Sequence, residues 1–138
     1  MNPLFGCAIN CIDGRAQTPV TEWVKFHMGV QYVDMITEPG ADGALAKEEQ
    51  EKTAQIHKAL RLAIGAHHPG IIAVCGHFDC VANPVSNEEH LEDIRRSVII
   101  VSGWVPEIRV VGLFVNEFGA VDLVSDSNEG NPEIRSYL

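Results

Sequence analysis

Cys11, Asp13 and Arg15 occupy every second position of "CIDGR", and His77 and Cys80 frame "HFDC" much later in the chain. Two thiolates and an imidazole supply three soft or borderline donors and leave a fourth tetrahedral position open, which suits catalytic zinc better than calcium or magnesium. Cys11, His77 and Cys80 are the expected ligand set. Asp13 can take the fourth position in a closed state or leave it to water, and Arg15 offers a planar fork able to hold the carboxylate off the metal. With Asp13 so held, zinc lowers the pKa of bound water and makes hydroxide a nucleophile near neutral pH, while Asp13 accepts its hydrogen bond and aims its lone pair. Asp13 and Arg15 are therefore the expected catalytic pair. Two thiolates neutralise much of the zinc charge, so the bound water should be less acidic than in an all-histidine site.

Such a constellation needs elements that bring two distant segments together. Residues 4–9 read as a buried strand, and Pro19 opens a helical pattern carrying Val20, Trp23, Val24, Phe26 and His27, ended by Gly29. A second strand over 32–36 runs into the turn "TEPG". A long helix over about 44–66 follows, with Leu45, Ile56, Leu60 and Ile64 inward and "HHPG" as its stop. The β-branched run "IIAVCGH" at 71–77 reads as a strand buried on both faces, and 87–101 as a helix with acidic residues early and Arg95 and Arg96 late. "EIRVVGLFVN" and "AVDLVSD" suggest a closing antiparallel hairpin, with Gly119 at the position needing positive φ.

The expected architecture is an α/β single domain over 1–138, with a mainly parallel sheet of order 2-1-3-4, an antiparallel fifth strand and flanking helices. Ligands of such sheets bind at the carboxyl ends of the strands, where strand order reverses. Cys11, Asp13 and Arg15 follow the first strand and His77 and Cys80 the third. With the first and third strands adjacent at the switch point, "CIDGR" and "GHFDC" would meet. Gly14 is expected to let the chain turn while Cys11, Asp13 and Arg15 project into one crevice.

Simpler readings account for the other candidates. Cys7 and Cys75 lie inside central strands, where a free cysteine acts as a small hydrophobe. His67 and His68 precede the third strand, at the end opposite the site, and suit surface or capping roles. His90 reads as a solvated helical residue, and Trp23 and Phe26 as core. Arg15 follows Cys11 too closely for a phosphatase or rhodanese loop, and no C-x-x-C, G-x-G-x-x-G or Walker sequence occurs.

Acidic residues outnumber basic ones 19 to 10, and the net charge of -9 argues against nucleic acid and anionic membranes as partners. The N-terminal stretch has no basic region and too short an apolar run for a signal peptide or a membrane span, so a cytoplasmic protein is expected. Four cysteines without a secretory signal suggest thiols or metal ligands more than disulfides.

C-x-D-x-R followed much later by H-x-x-C resembles the two-part motif of the beta-class carbonic anhydrases, matched here by Cys11, Asp13, Arg15, His77 and Cys80. The resemblance extends through most of the chain, including "VVGLFVNEFGAVDLV", which is similar to the family's last two strands. It implies a zinc lyase for reversible hydration of carbon dioxide to bicarbonate, with Zn2+ on Cys11, His77 and Cys80, an Asp13–Arg15 gate, and a homodimer or higher homo-oligomer. Position 14 is Gly where the family usually has Ser, "TEPG" replaces an R-N-A-G-N type segment, and Val81 and Ala82 stand in place of glycines. These departures bear on substrate more than on metal. The competing expectations are a carbonyl sulfide or carbon disulfide hydrolase on the same site, and a zinc-binding module without turnover.

Overall fold

The structure is a computed structural model that describes residues 4–129 and 135–137, the last three by their backbone alone. Its elements run β1 (Phe5–Asn10), α1 (Gly14–Met28), β2 (Tyr32–Thr37), α2 (Ala41–Ala46), α3 (Gln50–His67), β3 (Ile71–His77), α4 (Asn87–Trp104), β4 (Arg109–Val115), β5 (Val121–Asp126) and β6 (Arg135–Tyr137). The sheet order is β2-β1-β3-β4-β5-β6. β2, β1, β3 and β4 are parallel, and β5 and β6 are antiparallel to their neighbours. The order 2-1-3-4 with an antiparallel fifth strand is the expected one. β6 extends it, pairing Tyr137 with Val121, out of a tail too polar to announce a strand.

Side chains alternate across the central strands and feed two apolar layers. Cys7, Ile9, Ile72 and Val74 pack with Leu45, Ile56, Leu60, Val98 and Val101 from α2, α3 and α4. Ala8, Ala73, Cys75, Val111 and Leu113 face Ala16, Val20, Trp23 and Val24 of α1. Among the described residues three helices thus cover one face and one covers the other, a doubly covered sheet whose parallel strands β2, β1, β3 and β4 point their carboxyl ends to a common rim. Among the described residues no helix is long and apolar enough to cross a membrane.

Four local expectations are corrected. α1 begins at Gly14, with Pro19 inside it, because the Asp13 carboxylate caps the helix by accepting from Arg15 N at 2.9 Å. Gly14 is the first helical residue, has open space where a Cβ would stand and takes no left-handed φ, so the turn does not depend on it. The helix expected over 44–66 is two helices, because Glu48 adopts a φ of 51° and the C-cap Lys47 N–H closes on Gly43 O. Phe26 is 84% exposed: the buried stripe of α1 is Ala16, Val20, Trp23 and Val24, and position 26 falls off it. His90 is reassigned with the site below.

The hairpin turn behaves as its sequence suggests. Gly119 has a φ of 77°, and Asn116 Oδ1 accepts from the N–H groups of Phe118 and Ala120.

Candidate functional site

β1 and β3 end side by side, Cys7 to Ile9 pairing with Ile72 to Val74, so the segments that follow them share one rim of the sheet. Cys11 continues from β1 through Asn10, whose Oδ1 accepts from Cys11 N at 2.9 Å and whose Nδ2 donates to Ala16 O at 3.0 Å. His77 closes β3, on the row of Ile71, Ala73 and Cys75 that faces α1. The donor atoms of Cys11, His77 and Cys80 all lie within 4.8 Å of one another, and all three residues are buried.

Each donor is oriented from behind. His77 Nδ1 lies 2.6 Å from Phe78 O, and a carbonyl can only accept, so the proton sits on Nδ1 and the Nε2 lone pair is left free. That Nε2 atom is buried and has no hydrogen-bond partner among the described residues. The two sulfurs are 4.0 Å apart, close to the roughly 3.8 Å that two thiolates at about 2.3 Å from one tetrahedral ion would show. Gly40 N donates to Cys11 Sγ at 3.5 Å. Burial pushes the Cys80 thiol up and the neighbouring Cys11 adds to this, while the backbone N–H groups of Asn83 and Ala82 favour its thiolate. An unpartnered imidazole nitrogen aimed at two thiols is a donor set that fits zinc.

Asp13 and Arg15 stand at the mouth of this cluster. Arg15 Nε meets Asp13 Oδ1 at 3.1 Å and an outer nitrogen meets Oδ2 at 2.8 Å, a fork-to-fork pair. The Arg15 hydrogen bond holds the Asp13 carboxyl at about 2, helped by the Arg15 backbone N–H and the guanidinium charge against a smaller opposing effect of burial. The guanidinium also reaches Asp79 Oδ2 at 3.4 Å and Asp79 O at 3.3 Å, and lies 4.8 Å from the centre of the Phe78 ring. Asp79 itself adopts a φ of 52°. The residues read from the sequence are therefore brought to one place.

The outlying candidates are elsewhere. His67 meets Asp34 Oδ2 at 2.6 Å and stacks on Phe5, and His68 takes the left-handed C-cap of α3. Cys7 and Cys75 are core thiols; burial raises both, Cys7 to about 12.

Four residues of the rim were not foreseen: Asn10, Asp42, Asn83 and His90, all buried. His90, expected in solvent, is fully buried, and its Nδ1 donates to Asp42 Oδ2 at 2.6 Å. It faces inward because α4 starts at Asn87, capped by Ser86, which turns position 90 with Ile94, Ser97 and Val101 onto the sheet. A lone carboxylate inside the otherwise apolar "ADGALA" was the available signal for Asp42.

The chain matches a family described as "Putative carbonic anhydrase" over residues 1–125. It belongs to that family. The structure of this carbonic anhydrase-like chain is similar to a beta-carbonic anhydrase, isoform I, from the protozoan Trichomonas vaginalis, with 18% identity and a TM-score of 0.55 over 85% of this chain and 80% of that one. A beta-carbonic anhydrase of the fungal pathogen Aspergillus fumigatus is matched at 14% identity and a TM-score of 0.45, over 88% of this chain and 74% of that one. No curated protein matches the sequence.

Proposed function

We propose that this carbonic anhydrase-like chain hydrates carbon dioxide reversibly at a zinc site held by Cys11, His77 and Cys80. The observation that carries the reading is the buried, partnerless His77 Nε2 grouped with two thiols beside a carboxylate already engaged by a guanidinium. Bound there, zinc would supply the Lewis acidity that makes water a nucleophile near neutral pH.

The chain's own residues divide the remaining work. Arg15 keeps both oxygens of Asp13 in its fork, so the carboxylate is engaged by the guanidinium and stays ionised throughout the neutral range. Asp13 retains lone pairs to accept a hydrogen bond from the attacking water and to fix its direction toward the carbon of carbon dioxide. With its carboxyl held at about 2, Asp13 is too weak a base to take the proton, which goes to buffer or solvent. Phe78 and the exposed Ile12 give the mouth an apolar lining that suits a small apolar substrate.

A homo-oligomer belongs to this reading. Ile12 is 60% exposed and Val81 90%, each next to a sulfur donor, and they offer apolar surface that a second copy would cover. Gel filtration with light scattering should return a multiple of the 15.1 kDa chain mass.

The deciding experiment is metal content and stopped-flow carbon dioxide hydration on the same sample. Stoichiometric zinc with hydration well above background is expected. Hydrogen sulfide released from carbonyl sulfide or carbon disulfide, without hydration, would move the activity to those substrates. Full zinc with no turnover of any of them would leave a zinc-binding module.

A further inference from the structure

We propose that Asp42, Asn83 and His90 form a buried brace that positions the backbone of residues 82–83 against Cys80, and so holds Cys80 as a metal ligand. The inference rests on the zinc reading above and deepens it. Asn83 Nδ2 donates to Asp42 Oδ1 and to Asp93 Oδ2, both at 3.1 Å. The second oxygen of Asp42 accepts from His90 Nδ1 at 2.6 Å. Ser97 Oγ reaches Asp42 O at 3.0 Å and Asp93 O at 2.7 Å, which fastens α4 to α2 behind the brace. The hydrogen bonds thus run from the segment after Cys80 into two helices.

Space for the brace is reserved in the backbone. A Cβ on Gly43 would stand 2.5 Å from Asn83 Cγ, and one on Gly76, the residue before His77, 2.5 Å from Asp42 Oδ2. Gly40, at a φ of 62°, lets Ala82 approach to where a Cβ would stand 3.0 Å from the Ala82 carbonyl carbon. The outcome is felt at both sulfurs. Gly40 donates to Cys11 Sγ, and Ala82 and Asn83 turn their N–H groups to Cys80.

Stability alone is a poor explanation for this arrangement. Burying a carboxylate, an imidazole and an amide costs several kcal/mol before pairing, and apolar side chains of similar volume serve a core as well or better. What the polar set adds is direction, since each hydrogen bond fixes where the segment after Cys80 lies.

The test uses the full chain loaded with cobalt(II), read by its sulfur-to-cobalt charge-transfer band, together with zinc affinity measured by competition with a chelator. Asn83→Ala and Asp42→Ala should weaken zinc by roughly 10- to 100-fold and shift or weaken the band. Ser97→Ala, which lies in the same network away from the loop, should lower the melting temperature and leave both readouts near wild type. Asp42→Asn, which keeps the shape and can still accept from Asn83, should recover much of the affinity. Affinity and band unchanged in folded Asn83→Ala would overturn the brace alone. A wild-type chain that takes up neither metal would overturn the zinc reading and this inference with it. If Asn83→Ala does not fold, Asp93→Ala removes one of the two anchors of Asn83 and should still weaken zinc several-fold; no change there overturns the brace.

Discussion

Arg15 grips Asp13 through two nearly parallel hydrogen bonds, 3.1 Å to Oδ1 and 2.8 Å to Oδ2, while its outer face also reaches Asp79. Arg15→Ala should therefore free the carboxylate without touching a donor atom. Zinc content is expected to stay stoichiometric while carbon dioxide hydration falls by on the order of 100-fold or more. Lysine cannot reproduce a two-pronged grip, so Arg15→Lys should rescue little. Full activity in Arg15→Ala would remove Arg15 from the reaction.

Metal removal should be visible in stability as well as in activity. A ligand present at about 100 times its Kd stabilises the folded state by about 2.7 kcal/mol. Zinc added to the chelated protein is thus expected to raise its melting temperature by several degrees, and Cys11→Ser should abolish the rise. A melting curve indifferent to zinc would argue against the Cys11, His77 and Cys80 cluster as a metal site.

The four cysteines should separate chemically. Cys7 and Cys75 are buried in the sheet with thiols raised by burial, so they should resist iodoacetamide until the chain unfolds. Cys11 and Cys80 are also buried but sit at the rim, beside the exposed Ile12 and Val81, so in the metal-free protein they should be alkylated faster than Cys7 and Cys75, with zinc slowing both. Mass spectrometry of the digested protein reads each site; labelling of Cys7 under native conditions would contradict its place in the core.

Acid stability should depend on Asp126. Its side chain is buried, yet hydrogen bonds from Arg109 at 3.1 and 2.5 Å and from Asn128 N at 3.0 Å outweigh burial and hold its carboxyl below the usual range. As pH falls the unfolded chain, with an aspartate near 3.9, takes up the proton first. The pair's stabilisation is therefore complete above about pH 4 and is lost as pH falls through the lower folded value. Asp126→Asn should cost about 2 kcal/mol at neutral pH and flatten the acid limb of urea unfolding midpoints. Parallel acid limbs in the two proteins would refute this.

Much of the fold was legible because the strands announce themselves. "IIAVCGH" admits no polar face, the hairpin carries its glycine, and the strand order 2-1-3-4 assumed for such a domain puts the first and third strands side by side. That order sets "CIDGR" beside "GHFDC". Local breaks were less legible. The split between α2 and α3 rests on a left-handed Glu48 that the hydrophobic stripe passes straight over. Phe26 shows the opposite error, since an aromatic near the stripe of an amphipathic helix reads as core whether or not its angle reaches the sheet. His90 alone reads as a solvated residue, and Asp42, despite its apolar neighbours, has no partner near it in sequence. Only their meeting across α2 and α4 makes burial tolerable, and that distance along the chain hides the pairing.

The close fit of Gly43 under Asn83 and of Gly76 against Asp42 has an evolutionary corollary. A larger residue at 43 is tolerable only if 83 shrinks, and one at 76 only if 42 gives up its carboxylate, so each pair should behave as a unit in a double-mutant cycle. Across related sequences these positions should covary, with glycine at 43 lost chiefly in lineages that have also lost the asparagine at 83.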